Sequence, residues 1–162
     1  MTRQMKALPL CALALVLALC GCGGKAQPEQ ADFSVQEAMA ELTRTASIDE
    51  PLTLEEADML DYFGIPAESM ADFAAQTCSN GISAQEIVLV KAADEDSAGT
   101  VEEKLQARLD NWKAEMENYL PDQYDILSQC RVQRDGLYVA LIVHPEHEAL
   151  EELYRGWAEG GK

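Results

Sequence analysis

The chain has 162 residues and a formal net charge of −17 at pH 7, because 29 residues are Asp or Glu and only 12 are Lys or Arg. We therefore expect no nucleic-acid partner, since binding to phosphates depends on clustered Lys and Arg. The length suits one domain that can bury a core of its own.

The N-terminal residues have the pattern of an export signal. Arg3 and Lys6 precede an apolar run over residues 7–20, in which Pro9 is the one strong helix breaker. A helix that crosses a bilayer needs ~20 apolar residues, and this run is shorter. We predict a lipoprotein signal peptide at residues 1–21 that is removed on export. The alternatives are a plain secretory signal that is cut elsewhere and an uncleaved anchor.

The end of the apolar run resembles the lipobox of bacterial lipoproteins, where an aliphatic residue at −3 and a small residue at −1 precede the modified cysteine. Leu19 and Gly21 fit these positions for Cys22, whereas Cys20 would have Leu19 at −1. We expect a covalent diacylglycerol lipid on Cys22, because two acyl chains anchor a protein stably and one does so only marginally. No other cofactor is expected. The predicted location is the extracytoplasmic face of the cell membrane, with membrane lipid as a partner through the anchor.

A polar stretch and then the folded domain are expected after the lipobox. Residues 22–33 read as a flexible tether, since they lack apolar periodicity. Residues 34–160 read as a single α+β domain. Loss of Arg3 and Lys6 would change the net charge from −17 to −19, so that anionic lipid head groups repel the domain within a Debye length of ~8 Å.

Three capping boxes predict the starts of three helices, because a hydroxyl caps a backbone amide and a glutamate reaches back. They begin at Ser34, Thr53 and Thr100. A fourth helix is expected after Pro145. The apolar stripes assigned to these helices are Val35, Ala38, Met39 and Leu42; Leu54, Ala57, Leu60 and Phe63; Val101, Leu105, Leu109, Trp112, Met116 and Tyr119; and Ala149, Leu150, Leu153 and Trp157.

Four strands are predicted at residues 70–78, 86–92, 128–134 and 137–144, and the last two are joined by a hairpin turn at Asp135-Gly136. The second and fourth are apolar on both faces, so they belong in the middle of the sheet. We expect a four-stranded antiparallel sheet of order 1-2-4-3, a ββαββα core after two N-terminal helices. The long and final helices should cover one face of it.

Two cysteines remain in the mature domain, Cys78 and Cys130. The predicted order places them on opposite edge strands, three spacings of ~4.8 Å apart, whereas a disulfide needs Cα atoms within ~7 Å. We expect free thiols, and a disulfide between Cys78 and Cys130 is kept open as the alternative.

Several phrases of the sequence are similar to the bacterial lipoprotein family described as domain of unknown function 4358. The resemblance covers roughly Thr53 to Trp157 and implies a lipid-modified cysteine on the outer leaflet of the cytoplasmic membrane. It implies no activity and no further functional residue. The phrases that carry it are Leu60 to Ile65, Ala84 to Ala92, the long helix from Val101, Leu120 to Tyr124, and Gly136 to Val143.

Ligand-like residue types cluster once, in His144-Pro145-Glu146-His147. Two imidazoles and a carboxylate are able to bind zinc or to exchange protons. Pro145, however, separates a strand end from a helix start, so the histidines do not share one helical face. We therefore predict no catalytic residue and no metal ligand, and the role of His144 and His147 stays open.

The sequence favours a membrane-anchored extracytoplasmic lipoprotein that acts as a non-catalytic binding module of the cell envelope. Its partner would be an envelope protein or a cell-wall ligand, and the sequence indicates no oligomeric state. The alternative is a small cell-surface hydrolase with a dispersed active site, because such sites leave no local motif.

Overall fold

The computed structural model describes residues 32–160. The predicted signal peptide, Cys22 and most of the predicted tether lie outside this range. The described elements, in chain order, are α1 (Val35–Thr45), β1 (Pro51–Thr53), α2 (Glu56–Phe63), a single 3-10 turn (Ala67–Ser69), β2 (Met70–Cys78), β3 (Glu86–Ala92), α3 (Glu95–Tyr119), α4 (Pro121–Gln129), β4 (Val132–Asp135), β5 (Tyr138–Val143) and α5 (His147–Gly160).

The strands form one antiparallel sheet of order β1-β2-β3-β5-β4. The α+β class is as predicted, but the four-stranded sheet is wrong, because β1 adds a fifth strand beside the end of β2. The remaining strands lie in the order β2-β3-β5-β4, and these are the predicted strands 1, 2, 4 and 3. The sequence did not reveal β1, since its three residues are all exposed and leave no apolar pattern.

Helices cover both faces of the sheet, because β3 and β5 are apolar on both sides. Val88 and Val90 pack under α2, α3 and α4, whereas Ile87 and Leu89 pack under α1 and α5. The prediction that the long and final helices share one face is therefore wrong. With eleven residues, α1 is too short to cover its face alone, and α5 completes that layer.

The first predicted helix is confirmed, and two other predicted helix starts are corrected. Ser34 caps α1, whose buried residues are Val35, Ala38, Met39 and Leu42. The second helix begins at Glu56 with Glu55 as its cap, so Thr53 belongs to β1 instead. The third begins at Glu95 with Asp94 as its cap. Thr100 lies inside that helix and donates its hydroxyl to the Asp96 carbonyl.

Several assigned stripe positions also differ in burial. Met59 is buried in α2, while Leu60 is 55% exposed. Tyr119, at the end of α3, is 72% exposed. In α5, Ala149 is exposed and Tyr154 is fully buried. The helix α4 was not predicted from the sequence. Residues 128 and 129, predicted as the start of a strand, are its last two residues, and the strand β4 begins at Val132.

The described chain enters the fold at the end of the sheet formed by Lys91 and Tyr138. Phe33, which the prediction placed in the tether, is buried, and its ring stacks on Tyr138 at 4.1 Å between centroids. Asp32 accepts hydrogen bonds from the Tyr138 hydroxyl at 2.7 Å and from Lys91 at 2.6 Å. These contacts hold Asp32 and Phe33, the first described residues, against this end of the sheet.

Candidate binding groove

A groove of about 400 Å³ lies at the other end of the sheet, on the face covered by α3. We call it the Arg108 groove. Residues from β1, α2, the end of β2, the following loop and α3 line it: Leu52, Tyr62, Thr77, Cys78, Ser79, Gly81, Ser83, Arg108, Trp112, Glu115 and Met116.

At the floor of the Arg108 groove, the lining residue Arg108 on α3 forms an ion pair with Glu86, the first residue of β3, which is buried behind it and does not itself line the groove. Nη2 of Arg108 lies 3.1 Å from Oε2 of Glu86, and Nε lies 3.3 Å from Oε1, so the pair is bidentate. The Glu86 side chain is fully buried, whereas that of Arg108 is 25% exposed. The guanidinium also lies 4.1 Å from the ring centroid of Trp112. Arg108 is therefore held from two sides.

Burial has a clear electrostatic effect on Glu86. Loss of solvent raises the pKa of its carboxyl above the usual value, and the charge and hydrogen bonds of Arg108 oppose this rise. Thr77, paired with Glu86 across β2 and β3, adds a further hydrogen bond that lowers the pKa. Because the rise prevails, Arg108 offsets only part of the cost of burying this carboxylate.

Apolar side chains stand exposed at the rim of the groove. Leu52 is 41% exposed and Tyr62 is 45% exposed. Ile82, which lies in the chain between the lining residues Gly81 and Ser83, is 62% exposed. Isolated exposed apolar residues are common on proteins, but a group of them around one depression is typical of an interaction site.

Local structure holds these rim residues in place. Leu52 pairs with Thr77 across β1 and β2, which places it on the face of α3. After β2, the Asn80 side chain accepts hydrogen bonds from the amides of Ile82 and Ser83, each at 3.0 Å. Gly81 has a φ of 76°, a left-handed conformation that glycine adopts without strain.

α2 supplies the aromatic wall, and its position depends on its C-terminal end. Gly64 ends the helix with a φ of 67°. Its amide and that of Ile65 bond back to the carbonyls of Leu60 and Met59 at 2.9 and 3.1 Å. This αL cap turns the chain so that Ile65 is buried while Tyr62 stays at the rim.

Two other depressions lie on the described part of the chain. One of about 440 Å³ lies between the end of α1 and α5 and has no aromatic lining. Another of about 310 Å³ lies beside β2, where the strand extends past β1. There the Gln36 amide donates to the Phe73 carbonyl, and Asp72 accepts from the Phe73 amide at 2.9 Å, so side chains occupy this stretch of edge.

The histidine cluster of the sequence lies apart from the groove lining. His144 accepts at Nδ1 from the Glu146 amide at 3.0 Å, and its Nε2 lies 3.4 Å from the Ser47 carbonyl. His147 lies 3.6 Å from Glu151, which binds Arg131 at 3.0 Å. The two histidines thus have separate partners. Among residues 32–160, no group of three or more His, Cys, Asp or Glu side chains is arranged to bind a metal ion.

Both cysteines of the described domain are free. Cys130 belongs to the core on the side of α3, whereas Cys78 packs against the core on the side of α1 and α5. Burial raises the pKa of the Cys130 thiol to about 11, which suppresses its thiolate form.

Three groove residues are named from the sequence alone: Trp112 and Met116 as parts of a helix stripe, and Cys78 as a thiol. Glu86 and Arg108 were not predicted as a pair. The available signal was Glu86 itself, a charged residue at the start of a strand whose next four residues are apolar. A buried charge requires a partner, but only the fold shows that Arg108 supplies it.

Comparison with known families gives one match. The model of the family described as Domain of unknown function (DUF4358) matches residues 44–144, which include every lining residue of the Arg108 groove. No curated protein and no solved structure matches the chain. Within the described range, no helix combines the length and the apolar character that crossing a membrane requires.

Proposed function

The chain belongs to the family described as Domain of unknown function (DUF4358), and from that premise we propose that it is a lipoprotein anchored at Cys22 which acts as a non-catalytic binding module of the cell envelope. The Arg108 groove is its binding site. The observation that carries the proposal is an exposed rim of apolar and aromatic side chains around a floor whose charges are already paired.

The paired floor favours binding over catalysis. Arg108 uses two of its nitrogen atoms on Glu86, and a guanidinium keeps its charge throughout the physiological pH range. Glu86 is fully buried beneath it. A general acid or base must reach the substrate proton, whereas these two groups face each other. Their arrangement suits a rigid support for the aromatic wall.

The position of the groove supports a partner away from the lipid surface. Along β3, the groove floor at Glu86 and the chain entry at Lys91 are five residues apart, which corresponds to ~17 Å. The entry contacts of Phe33 belong to the α1 and α5 side, while the groove lies on the α3 side. The groove and the point of attachment therefore occupy opposite ends and opposite faces of the sheet.

The length of the preceding chain sets the reach of the domain. Asp32 comes ten positions after Cys22, and ten residue steps span at most ~35 Å when fully extended. Anchored in this way, the domain would present the Arg108 groove toward the envelope within a few tens of ångströms of the membrane. Its acidic surface would at the same time be repelled by anionic lipids.

Photo-crosslinking in cells tests the binding role. A benzophenone amino acid placed at position 62 should form adducts with a discrete partner, because Tyr62 lines the groove. Placed at position 60, it should form none, since Leu60 is as exposed and on the same helix but does not line the groove. Equal adducts from both positions, or adducts from neither, would refute the proposed binding site.

Mass spectrometry of the mature N-terminal peptide tests the anchor. We expect a peptide that begins at Cys22 and carries a diacylglyceryl group. Cys22→Ala should leave the signal peptide uncleaved, whereas Cys20→Ala should process normally and serves as the matched control. An unmodified N-terminal cysteine, or cleavage at another residue, would contradict the lipoprotein assignment.

A further inference from the structure

We propose that the occupant of the Arg108 groove is a basic protein segment, in which an apolar side chain enters the groove and flanking Lys or Arg residues contact its acidic rim. This inference rests on the proposed function and adds the chemistry of the partner.

The floor of the groove does not attract an anion. Arg108 and Glu86 form an ion pair at 3.1 Å. Nε and Nη2 of Arg108 both donate hydrogen bonds to the Glu86 carboxylate. Binding an anion strongly would require Arg108 to leave Glu86, whose buried carboxylate would then lack its partner. Removing one partner of a buried ion pair is strongly unfavourable.

The rim of the groove, by contrast, is acidic. Glu115 on α3 lines it and is exposed. Glu50 lies beside the groove, because its backbone carbonyl accepts hydrogen bonds from the amide and the hydroxyl of the lining residue Ser79, at 3.1 and 2.9 Å. Glu50 is exposed. Asp61 precedes Tyr62 on α2 and is also exposed. The side chain of Lys104 lies beside Gly64, at the end of α2.

The charge of the whole chain acts in the same direction. At −17 it attracts basic partners, and it repels anionic polymers and a second copy of itself. Such fields mainly raise the association rate and are screened by salt. The fit of an apolar side chain between Leu52, Tyr62 and Met116 would then supply the short-range affinity.

Fluorescence anisotropy with the lipidated full chain in non-ionic micelles tests the proposal. The probe is a labelled hexapeptide with a central Trp-Leu pair and two lysines on each side. One comparison peptide carries glutamates in place of the lysines, and another carries Ser-Gly in place of Trp-Leu. We expect binding of the first to be at least about tenfold tighter than that of the acidic peptide and about fivefold tighter than that of the Ser-Gly peptide. Its affinity should fall as salt is raised.

Variants locate the binding. Tyr62→Ser should weaken the first peptide at least about fivefold, while Leu60→Ser, an exposed position on the same helix, should leave it unchanged. Glu115→Gln should weaken it about twofold and reduce the salt dependence. Both serine variants alter exposed side chains, so their thermal unfolding should match that of the parent, which separates loss of binding from loss of folding.

Three results would overturn the proposal: equal binding of basic and acidic peptides, equal loss in the Tyr62→Ser and Leu60→Ser variants, or displacement of the peptide by a hexamer of N-acetylglucosamine. The last would assign the groove to a glycan. Adducts at position 62 in cells without any peptide preference would refute this partner chemistry and leave the binding module standing, whereas the absence of both would refute the two together.

Discussion

Replacing Arg108 with Met should destabilise the domain at neutral pH far more than replacing Glu86 with Gln, although the two residues form one ion pair. Arg108→Met keeps an unbranched side chain against Trp112 but leaves the fully buried Glu86 carboxylate unpaired. The expected loss is ~3–5 kcal/mol. Glu86→Gln leaves Arg108 with a neutral acceptor and 25% of its side chain in water, so the expected loss is only ~1 kcal/mol.

The pH dependence gives a sharper test. The pKa of Glu86 is raised in the folded state above its ordinary value of 4.5, chiefly by burial. The folded state therefore holds this proton more tightly, and the free energy of unfolding falls as the pH rises from about 4.5 toward the folded pKa. Arg108→Met removes the two largest effects that lower the pKa, so the pKa rises further and the fall continues to higher pH, with a slope of at most ~1.4 kcal/mol per pH unit.

Urea unfolding followed by far-ultraviolet circular dichroism, at intervals from pH 4.5 to 8, measures these differences. Because burial raises the pKa of Glu86, the defect of Arg108→Met should be smallest at the low end of this range, ~1 kcal/mol, and should grow with pH. The double variant Glu86→Gln with Arg108→Met should recover ~2 kcal/mol or more of the single-variant loss at pH 7.5, since the buried charge is gone. A defect of Arg108→Met that does not change with pH would refute the reasoning, as would a double variant no more stable than the single one.

Further predictions concern the chain entry, the thiols and two glycines. Phe33→Ala should cost ~3–5 kcal/mol of unfolding free energy in urea titrations, because a buried ring that stacks on Tyr138 is lost; a loss below ~1 kcal/mol would place Phe33 outside the fold. Iodoacetamide should modify half-buried Cys78 before Cys130 in the native protein, and both thiols should react after denaturation without reductant; no reaction at either residue would indicate a bridge. Gly64→Ala should destabilise by ~1–2 kcal/mol because of its positive φ, whereas Gly156→Ala, inside α5 with open space around it, should stabilise by ~0.5–1 kcal/mol; a rise of the melting temperature for Gly64→Ala would contradict the first prediction, and a fall for Gly156→Ala the second.

The local signals in the sequence were sufficient where a few neighbouring residues decide the structure. Ser34 with Glu37 marked the start of α1. Asp135-Gly136 marked the turn between β4 and β5, and Gly136 has a positive φ of 57°. The apolar runs of β3 and β5 showed that both strands are central, because only a sheet covered on both faces buries such residues fully.

Other elements depend on contacts that no local pattern records. A three-residue exposed strand such as β1 forms only because β2 offers an open edge. Asp94 and Thr100 are both adequate N-cap residues. The helix α3 begins after Asp94, because β3 ends at Ala92 and Asp94 is the first cap that the chain reaches after that strand.

The sequence by itself determined the acidic charge, the α+β class and which strands are central. Tertiary structure alone decided which face each helix covers, and it brought Leu52, Tyr62 and Trp112 together around Arg108 and Glu86. The physical reason is that the periodicity of apolar residues indicates which side of a helix is buried. It does not indicate which face of the sheet the helix packs on, because that depends on which apolar surface of the sheet the other helices leave uncovered. Both faces of β3 and β5 are apolar and must be covered, and α5 packs with α1 on one face while α3 packs on the other. On that other face, α3 forms one wall of the groove.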